Sequence, residues 1–91
     1  MPHTHLSAEE VARLGEEIYQ KDLRARIEIR ENIGKLISID VETGDYEIDD
    51  DLLLAGKRLK SRHPDAKMVG KRIGYDAVYT VGGMLTRTNA R

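Results

Sequence analysis

The chain has 91 residues, of which 40% are hydrophobic and 34% are charged, and its net charge is −1. This composition is typical of a soluble globular domain and excludes wholesale disorder. The absence of cysteine excludes disulfides and cysteine-based zinc sites. The sequence has no apolar run of ~20 residues and no secretory-signal pattern. We therefore expect a cytoplasmic protein without a membrane contact, in which residues 7–83 form one domain between a flexible leader (1–6) and a flexible tail (84–91).

The charges are distributed unevenly along the chain. Residues 1–51 carry 14 acids and 6 bases, whereas residues 52–91 carry 2 acids and 9 bases. Such asymmetry can indicate a nucleic-acid face or an electrostatic contact with a partner. It is also expected when the two halves of a small domain lie against each other, because every surface is then within a few Debye lengths of the other. We favour internal neutralisation.

The first predicted element is an amphipathic helix. Ser7 and Glu10 form a capping-box pattern, in which each side chain can bond the backbone N–H of the other residue. The helical spacing continues in two adjacent apolar stripes, which are Val11, Leu14 and Ile18, and Tyr19, Leu23 and Ile27. We therefore predict a helix over residues 8–26, followed by an exit loop over residues 28–33.

A β-hairpin follows the exit loop. Branched apolar residues alternate with polar ones over residues 35–41, which predicts a strand with one apolar face. Residues 42–45 have the composition of a turn, and Gly44 within it can adopt a positive φ. Residues 46–48 then return as the second strand of the hairpin.

The second half of the chain is predicted to form a helix and two further strands. One of the three aspartates at 49–51 is expected to cap the helix. The helix is expected to end at His63, because the residue before a proline is driven out of the helical conformation. Strands are predicted over residues 68–73 and 77–81, with a turn between them.

The predicted element order is α-β-β-α-β-β. It gives an α+β fold with a four-stranded, mostly antiparallel sheet and two helices. A strand order of 2-1-3-4 would place both helices on one face of the sheet. The other face would then be only half apolar, and in a domain this small a homodimer is a natural way to cover it. We therefore expect a homodimer.

An acidic pair raises one enzymatic alternative. Residues 39–44 resemble the first motif of the DEDD exonucleases, whose acids hold a catalytic metal. Asp40 and Glu42 are two apart on a predicted strand, so both carboxylates would point to one side and could share a cation. That family needs further acids and a histidine in a longer domain, so a metal-dependent nuclease is the least favoured alternative. We expect no catalytic residue, no metal ion and no cofactor.

A cluster of basic residues supports a second alternative, a nucleic-acid-binding module. The bases concerned are Lys57, Arg58, Lys60, Arg62, Lys71 and Arg72. They lie on the second predicted helix and the third predicted strand, where they could contact phosphates or a protein partner. No aromatic residue is interleaved with them, which argues against stacking on single-stranded bases. Nucleic acid is therefore not the favoured partner.

Three segments resemble a family of small bacterial proteins, mainly cyanobacterial. They are G-K-L-I-S-I-D-V-E-T-G-D-Y-E-I over residues 34–48, R-H-P-D-A over 62–66 and R-I-G-Y over 72–75. The resemblance extends from Gly34 to Val81. It implies an antitoxin-like partner in a two-gene toxin–antitoxin or protease-associated module, with the hairpin and the R-I-G-Y strand as core or partner surface. It implies no catalytic residue.

Taken with the resemblance, the sequence predicts a small non-catalytic protein-interaction module of antitoxin-like character. Its partner would be another protein, such as a toxin encoded by a neighbouring gene. The contact would be made by an exposed sheet edge or by the apolar face of the first helix. The residues of that face are Val11, Leu14 and Ile18.

Overall fold

The computed structural model describes residues 6–75 and 78–80. Its helical segments are α1 (Ala8–Ile18), a π-helical turn (Tyr19–Leu23), α2 (Arg24–Ile27), a 3₁₀ turn (Arg30–Asn32) and α3 (Leu52–Arg62). Its strands are β1 (Leu36–Asp40), β2 (Tyr46–Asp49), β3 (Met68–Arg72) and β4 (Val78–Thr80). The α+β class is therefore confirmed. No helix in these two ranges is long and apolar enough to cross a membrane.

Parts of three predicted segments lie outside the described residues. They are residues 1–5 of the predicted leader, residues 77 and 81 of the predicted fourth strand, and all of the predicted tail (84–91). Leu6, which the sequence assigns to the leader, packs against the hydrophobic core. This residue therefore contributes to the folded domain.

Both long helices begin at residues with the expected caps. Ser7 Oγ accepts a hydrogen bond from the Glu10 N–H at 3.0 Å, and the Ser7 N–H donates to Glu10 Oε1 at 2.9 Å. At α3, Asp51 Oδ1 accepts from the Leu53 N–H at 2.9 Å. The helix predicted over residues 8–26 runs continuously through α1, the π-helical turn and α2. The π-helical turn itself has no signal in the sequence.

The sheet is antiparallel, with β1 in its interior. β1 pairs with β2 on one side and with β3 on the other, and β4 pairs with β3, so the order is β2-β1-β3-β4. The turn between β1 and β2 contains a bulge, because the Gly44 N–H donates to the Asp40 carbonyl at 2.7 Å while the Asp40 N–H donates to the Asp45 carbonyl at 2.9 Å. Gly44 has a φ of 82°, which confirms the predicted positive value.

The two long helices lie on opposite faces of the sheet. In α1, a Cβ added at Gly15 would clash with Val69, and in α3, Leu52 lies within 2.7 Å of a Cβ added at Gly70. Because successive strand residues point to opposite faces, α1 and α3 must lie on different sides. The prediction that both helices share one face is therefore wrong. An open sheet face no longer provides an argument for a homodimer.

The larger part of the core lies between the first helical segment and the sheet. Its buried residues are Val11, Tyr19, Leu23, Ile27, Ile37, Ile39, Val69 and Ile73. On the other face, Ala55 and Leu59 of α3 are fully buried against the sheet. Burial of a large aliphatic side chain is worth about 1.5–3 kcal/mol, so this two-sided arrangement supplies a core although the chain has no Phe or Trp.

Candidate functional site

Three segments of the chain converge at one end of the sheet. Leu36, the first residue of β1, pairs with Asp49 at the end of β2 and with Arg72 at the end of β3. The segment that enters β1, the start of α3 and the turn after β3 therefore emerge at this same end, since α3 begins three residues after β2 ends. The β1–β2 turn lies at the opposite end.

The converging segments expose large hydrophobic side chains. The exposed fraction of the residue is between 46% and 73% at Ile29, Ile33, Leu53, Leu54 and Tyr75. These are all the large hydrophobic side chains that are exposed within residues 6–75. We call this surface the apolar end. Scattered apolar residues are normal on a protein surface, but a concentration in one place is typical of a contact site.

Backbone contacts hold the segment before β1 to the turn after β3. The Gly34 N–H donates to the Ile73 carbonyl at 2.9 Å, and the Ile73 N–H donates to the Lys35 carbonyl at 2.8 Å. The Ile33 side chain lies over Gly74, where an added Cβ would be 3.0 Å from Ile33 Cδ1. Gly74 has a φ of 88°, so both the close approach and the backbone conformation favour glycine. This part of the apolar end is therefore a fixed surface.

Lys71 is buried beneath the apolar end and binds the backbone of its Tyr75. It is only 3% exposed, because it alternates with Val69 and Ile73 on the face of β3 that meets α1. Its ammonium donates to the Tyr75 carbonyl at 2.7 Å, lies 4.7 Å from the centre of the Tyr19 ring and is 3.5 Å from Glu16 Oε1. The sequence-based interpretation of Lys71 as a surface contact to nucleic acid or a partner is therefore corrected.

Tyr19 links the π-helical turn to the same region. Its hydroxyl donates to Glu28 Oε2 at 2.6 Å and accepts from the Gly74 N–H at 3.4 Å. Burial, together with the bond to Glu28, raises the pKa of Tyr19 to about 12. The same bond is the main cause that lowers the pKa of Glu28, and Arg24 contributes at 3.2 Å. In the sequence, Tyr19 is noticeable only as a member of an apolar stripe.

Arg58 and Arg62 face a row of carboxylates on β2 and on the residue that precedes it. Arg58 contacts Glu47 at 3.0 Å and Asp49 at 2.8 Å. Arg62 contacts Asp45 at 2.8 Å and also pairs with Glu47. The spacing of two residues on the strand and of four on the helix brings acids and bases together along one line. Both arginines are therefore engaged within the domain, which accounts for part of the charge asymmetry between the two halves.

The same arginines cover the outer edge of β2. The carbonyls of Tyr46 and Ile48 point away from β1, because hydrogen-bonded and non-hydrogen-bonded positions alternate in an antiparallel pair. Arg58 donates to the Ile48 carbonyl at 3.2 Å, and Arg62 donates to the Tyr46 carbonyl at 3.4 Å. An edge strand protected in this way is a poor template for pairing with another chain.

The remaining bases of the predicted cluster are dispersed. Lys57 and Lys60 are exposed on α3. Arg72 is half-buried, donates to the Gly34 carbonyl at 2.8 Å and has its guanidinium 6.0 Å from the centre of the Tyr75 ring. The six bases therefore do not form one continuous cationic surface, and Arg72 contributes instead to the apolar end.

The acidic pair is not arranged as the sequence suggests. Asp40 is buried, and its Oδ1 accepts from the N–H groups of Glu42 at 3.1 Å and Lys67 at 3.2 Å. Its Oδ2 accepts from the Thr43 hydroxyl at 2.9 Å. Glu42 is exposed in the turn beyond the end of β1. The expectation of two carboxylates on one side of a strand is wrong, since Asp40 closes the hairpin and Glu42 does not continue the strand.

The apolar face of α1 is used inside the domain. Val11 is buried in the core, Ile18 packs against it, and Leu14 is half-buried. A partner could reach Val11 and Ile18 only by displacing α1 from the sheet. The structure therefore places these two residues in or against the core rather than on a free docking face.

Comparisons with protein-family models, with curated proteins and with solved structures find no match to this chain. Function must therefore be inferred from the surface of the domain. The apolar end is the feature on which that inference depends.

Proposed function

We propose that this protein is a small non-catalytic interaction module that binds another protein through the apolar end. The observation that carries the proposal is the concentration of exposed large hydrophobic side chains in three segments at one end of the sheet. Folding leaves about half or more of each of these residues accessible, although the core is buried on both faces of the sheet. Large apolar side chains left exposed together are typical of binding surfaces.

We also propose that the partner is a toxin-like protein encoded by a neighbouring gene. The support is the resemblance of residues 34–48, 62–66 and 72–75 to antitoxin-like proteins. Two of these segments adjoin the apolar end: Gly34 lies beside Ile33, and the R-I-G-Y segment ends with the exposed Tyr75. Of the five exposed hydrophobic residues at the apolar end, Tyr75 belongs to a segment that carries the resemblance.

Nucleic acid remains the weaker alternative because the bases that would contact phosphates are otherwise engaged. Arg58 and Arg62 are paired with carboxylates, and Lys71 is buried. Each phosphate contact to duplex DNA contributes about −0.9 to the slope of log affinity against log salt. The two exposed lysines on α3 would give a slope of only about −2, which corresponds to weak, nonspecific binding.

A site-specific photo-crosslink tests the protein-binding proposal. A photoreactive phenylalanine analogue is placed at Leu53, which is 73% exposed, and the full chain is expressed in its native cells. The matched control carries the same analogue at Glu42, an exposed position in the hairpin turn at the opposite end of the sheet.

We expect a heterologous protein to be cross-linked from Leu53 and not from Glu42, and we expect mass spectrometry to identify the neighbouring gene product. Adding Ile33→Lys to the Leu53 probe should reduce the yield by about tenfold or more, since a charge would be buried in the contact. Equal labelling from both positions, or none from either, would contradict the proposal.

A further inference from the structure

The rim of the apolar end carries opposite charges on its two sides. On the side of β2 and α3, Asp50 and Asp51 are exposed, and Lys57, which is exposed one turn along α3 from Leu53, leaves this side net negative. On the side of β1 and β3, Arg30 is exposed, and Lys35 and Arg72 are half-buried. The rim is therefore bipolar, with an acidic side and a basic side on either side of the apolar centre.

The pairing of the strands separates the two sides. Leu36 at the start of β1 has Asp49 as its neighbour on one side and Arg72 on the other. The acidic side therefore lies beyond one edge of β1 and the basic side beyond the other. Glu31 is exposed within the 3₁₀ turn on the basic side, where three bases leave that side net positive.

We propose that the apolar end binds a second copy of this chain when no other partner is present. A two-fold axis that passes between the acidic and basic sides sets the acidic side of each protomer against the basic side of its partner. The charged contact then occurs twice, around an apolar centre formed by residues such as Leu53 and Ile33.

The bipolar rim favours a second copy over a partner of uniform charge. A surface of one sign would be attracted by one side of the rim and repelled by the other, whereas a copy of the chain satisfies both sides. Edge-to-edge strand pairing through β2 is a poor alternative route, because Arg58 and Arg62 already bind the outward carbonyls of that strand.

This proposal rests on the proposed function, since the protein partner and the second copy use the same surface. Self-association therefore competes with the partner and keeps the exposed hydrophobic side chains covered until the partner is available. Because the apolar centre consists of five side chains, we expect a weak dimer with a dissociation constant on the order of micromolar.

Analytical ultracentrifugation of the full chain with charge-reversal variants tests the proposal. Asp50→Lys and Arg30→Asp each create two repulsive contacts in a homodimer, so each variant alone should dimerise at least tenfold more weakly than the wild type. An equimolar mixture of the two variants should form a heterodimer. The altered position 50 of one variant then faces the altered position 30 of the other, with opposite charges. The unaltered Arg30 and Asp50 keep their native contact on the other side. Glu42→Lys and Lys60→Asp carry the same changes of charge away from the apolar end and should dimerise like the wild type.

The outcomes separate this proposal from the proposed function. A wild-type chain that stays monomeric at several hundred micromolar would overturn the dimer, and so would a dimer that is unaffected by Asp50→Lys, Arg30→Asp and Leu53→Ser. If the chain is monomeric but Leu53 still cross-links to a heterologous protein, the proposed function stands alone. If the dimer behaves as expected but no heterologous protein is captured, the dimer stands and the proposed function fails. Circular dichroism verifies that each variant folds.

Discussion

Two buried glycines in helices predict opposite effects of the same substitution. Gly15 of α1 and Gly56 of α3 both face the sheet, on its two sides. A Cβ at Gly15 would clash with Val69, which is fully buried and β-branched and therefore has little freedom to move. A Cβ at Gly56 would meet only the Met68 side chain, at 3.8 Å, which is ordinary van der Waals contact.

The magnitudes follow from two opposing effects. Replacing glycine by alanine within a helix stabilises it by about 0.8–1.0 kcal/mol. Forcing an extra carbon into a filled core costs about 1–3 kcal/mol, and the contact at Gly15 is close enough to require the upper part of that range. We expect Gly15→Ala to lower the free energy of unfolding by about 1–2 kcal/mol, and Gly56→Ala to raise it by up to about 1 kcal/mol.

Urea unfolding followed by circular dichroism measures both changes. In a domain of this size, 1 kcal/mol corresponds to about 4–8 °C in melting temperature, so thermal melting gives a second measurement. Adding Val69→Ala to Gly15→Ala removes the clashing methyl groups. The loss of unfolding free energy in the double variant should therefore be smaller than the sum of the losses in the two single variants. A Gly15→Ala variant as stable as the wild type would refute the close packing of α1 on β3.

Three further predictions concern individual residues. The pKa of Asp45 is lowered to about 2, mainly by Arg62 and then by His63. Its contribution to the free energy of unfolding is therefore present above pH 4 and is lost as the pH falls towards 2. In urea unfolding, Asp45→Asn should remove this part of the acid-induced loss of stability. The pKa of Tyr19 is raised to about 12, so stability should fall as the pH rises from 10 to 12, and tyrosinate absorbance should show a late-titrating group that is missing in Tyr19→Phe. Gly44→Val should lower the free energy of unfolding by at least about 1 kcal/mol, because a β-branched residue resists a φ of 82°. Gly44→Asn should cost less, and equal melting temperatures for the two variants would contradict the strained turn.

Local sequence signals predict the elements of this fold well. The capping pattern of Ser7 and Glu10, the cap among the three aspartates before α3 and the positive φ of Gly44 depend on neighbouring residues only, and each is confirmed. Such signals are reliable because the hydrogen bonds that satisfy them close within a few residues. They say nothing about which face of the sheet a helix will cover.

The relations between elements account for the predictions that are wrong. The alternation of Val69, Lys71 and Ile73 contains a signal for the burial of Lys71, but the positive charge suggests a surface position. Burial is acceptable because the ammonium is met by the Tyr19 ring, the Tyr75 carbonyl and the Glu16 carboxylate. Likewise, the sequence indicates no partner for Arg58, which meets its carboxylate partners only because α3 packs along β2. The contact of Lys71 with Tyr19 and those of Arg58 with β2 join residues of different elements, so no local pattern contains them.

The position of the apolar end follows from how the rest of the sheet is covered. α1 and α3 occupy its two faces, and Arg58 and Arg62 bind the outward carbonyls of the β2 edge. Two bases from the basic second half thus bind acids and carbonyls of the acidic first half. They protect a sheet edge that could otherwise pair with another strand. The end where β1 begins has no such cover among the described residues, and its five exposed hydrophobic side chains remain accessible. A partner that binds there needs neither to open a sheet edge nor to displace a helix, which is why we place recognition at the apolar end.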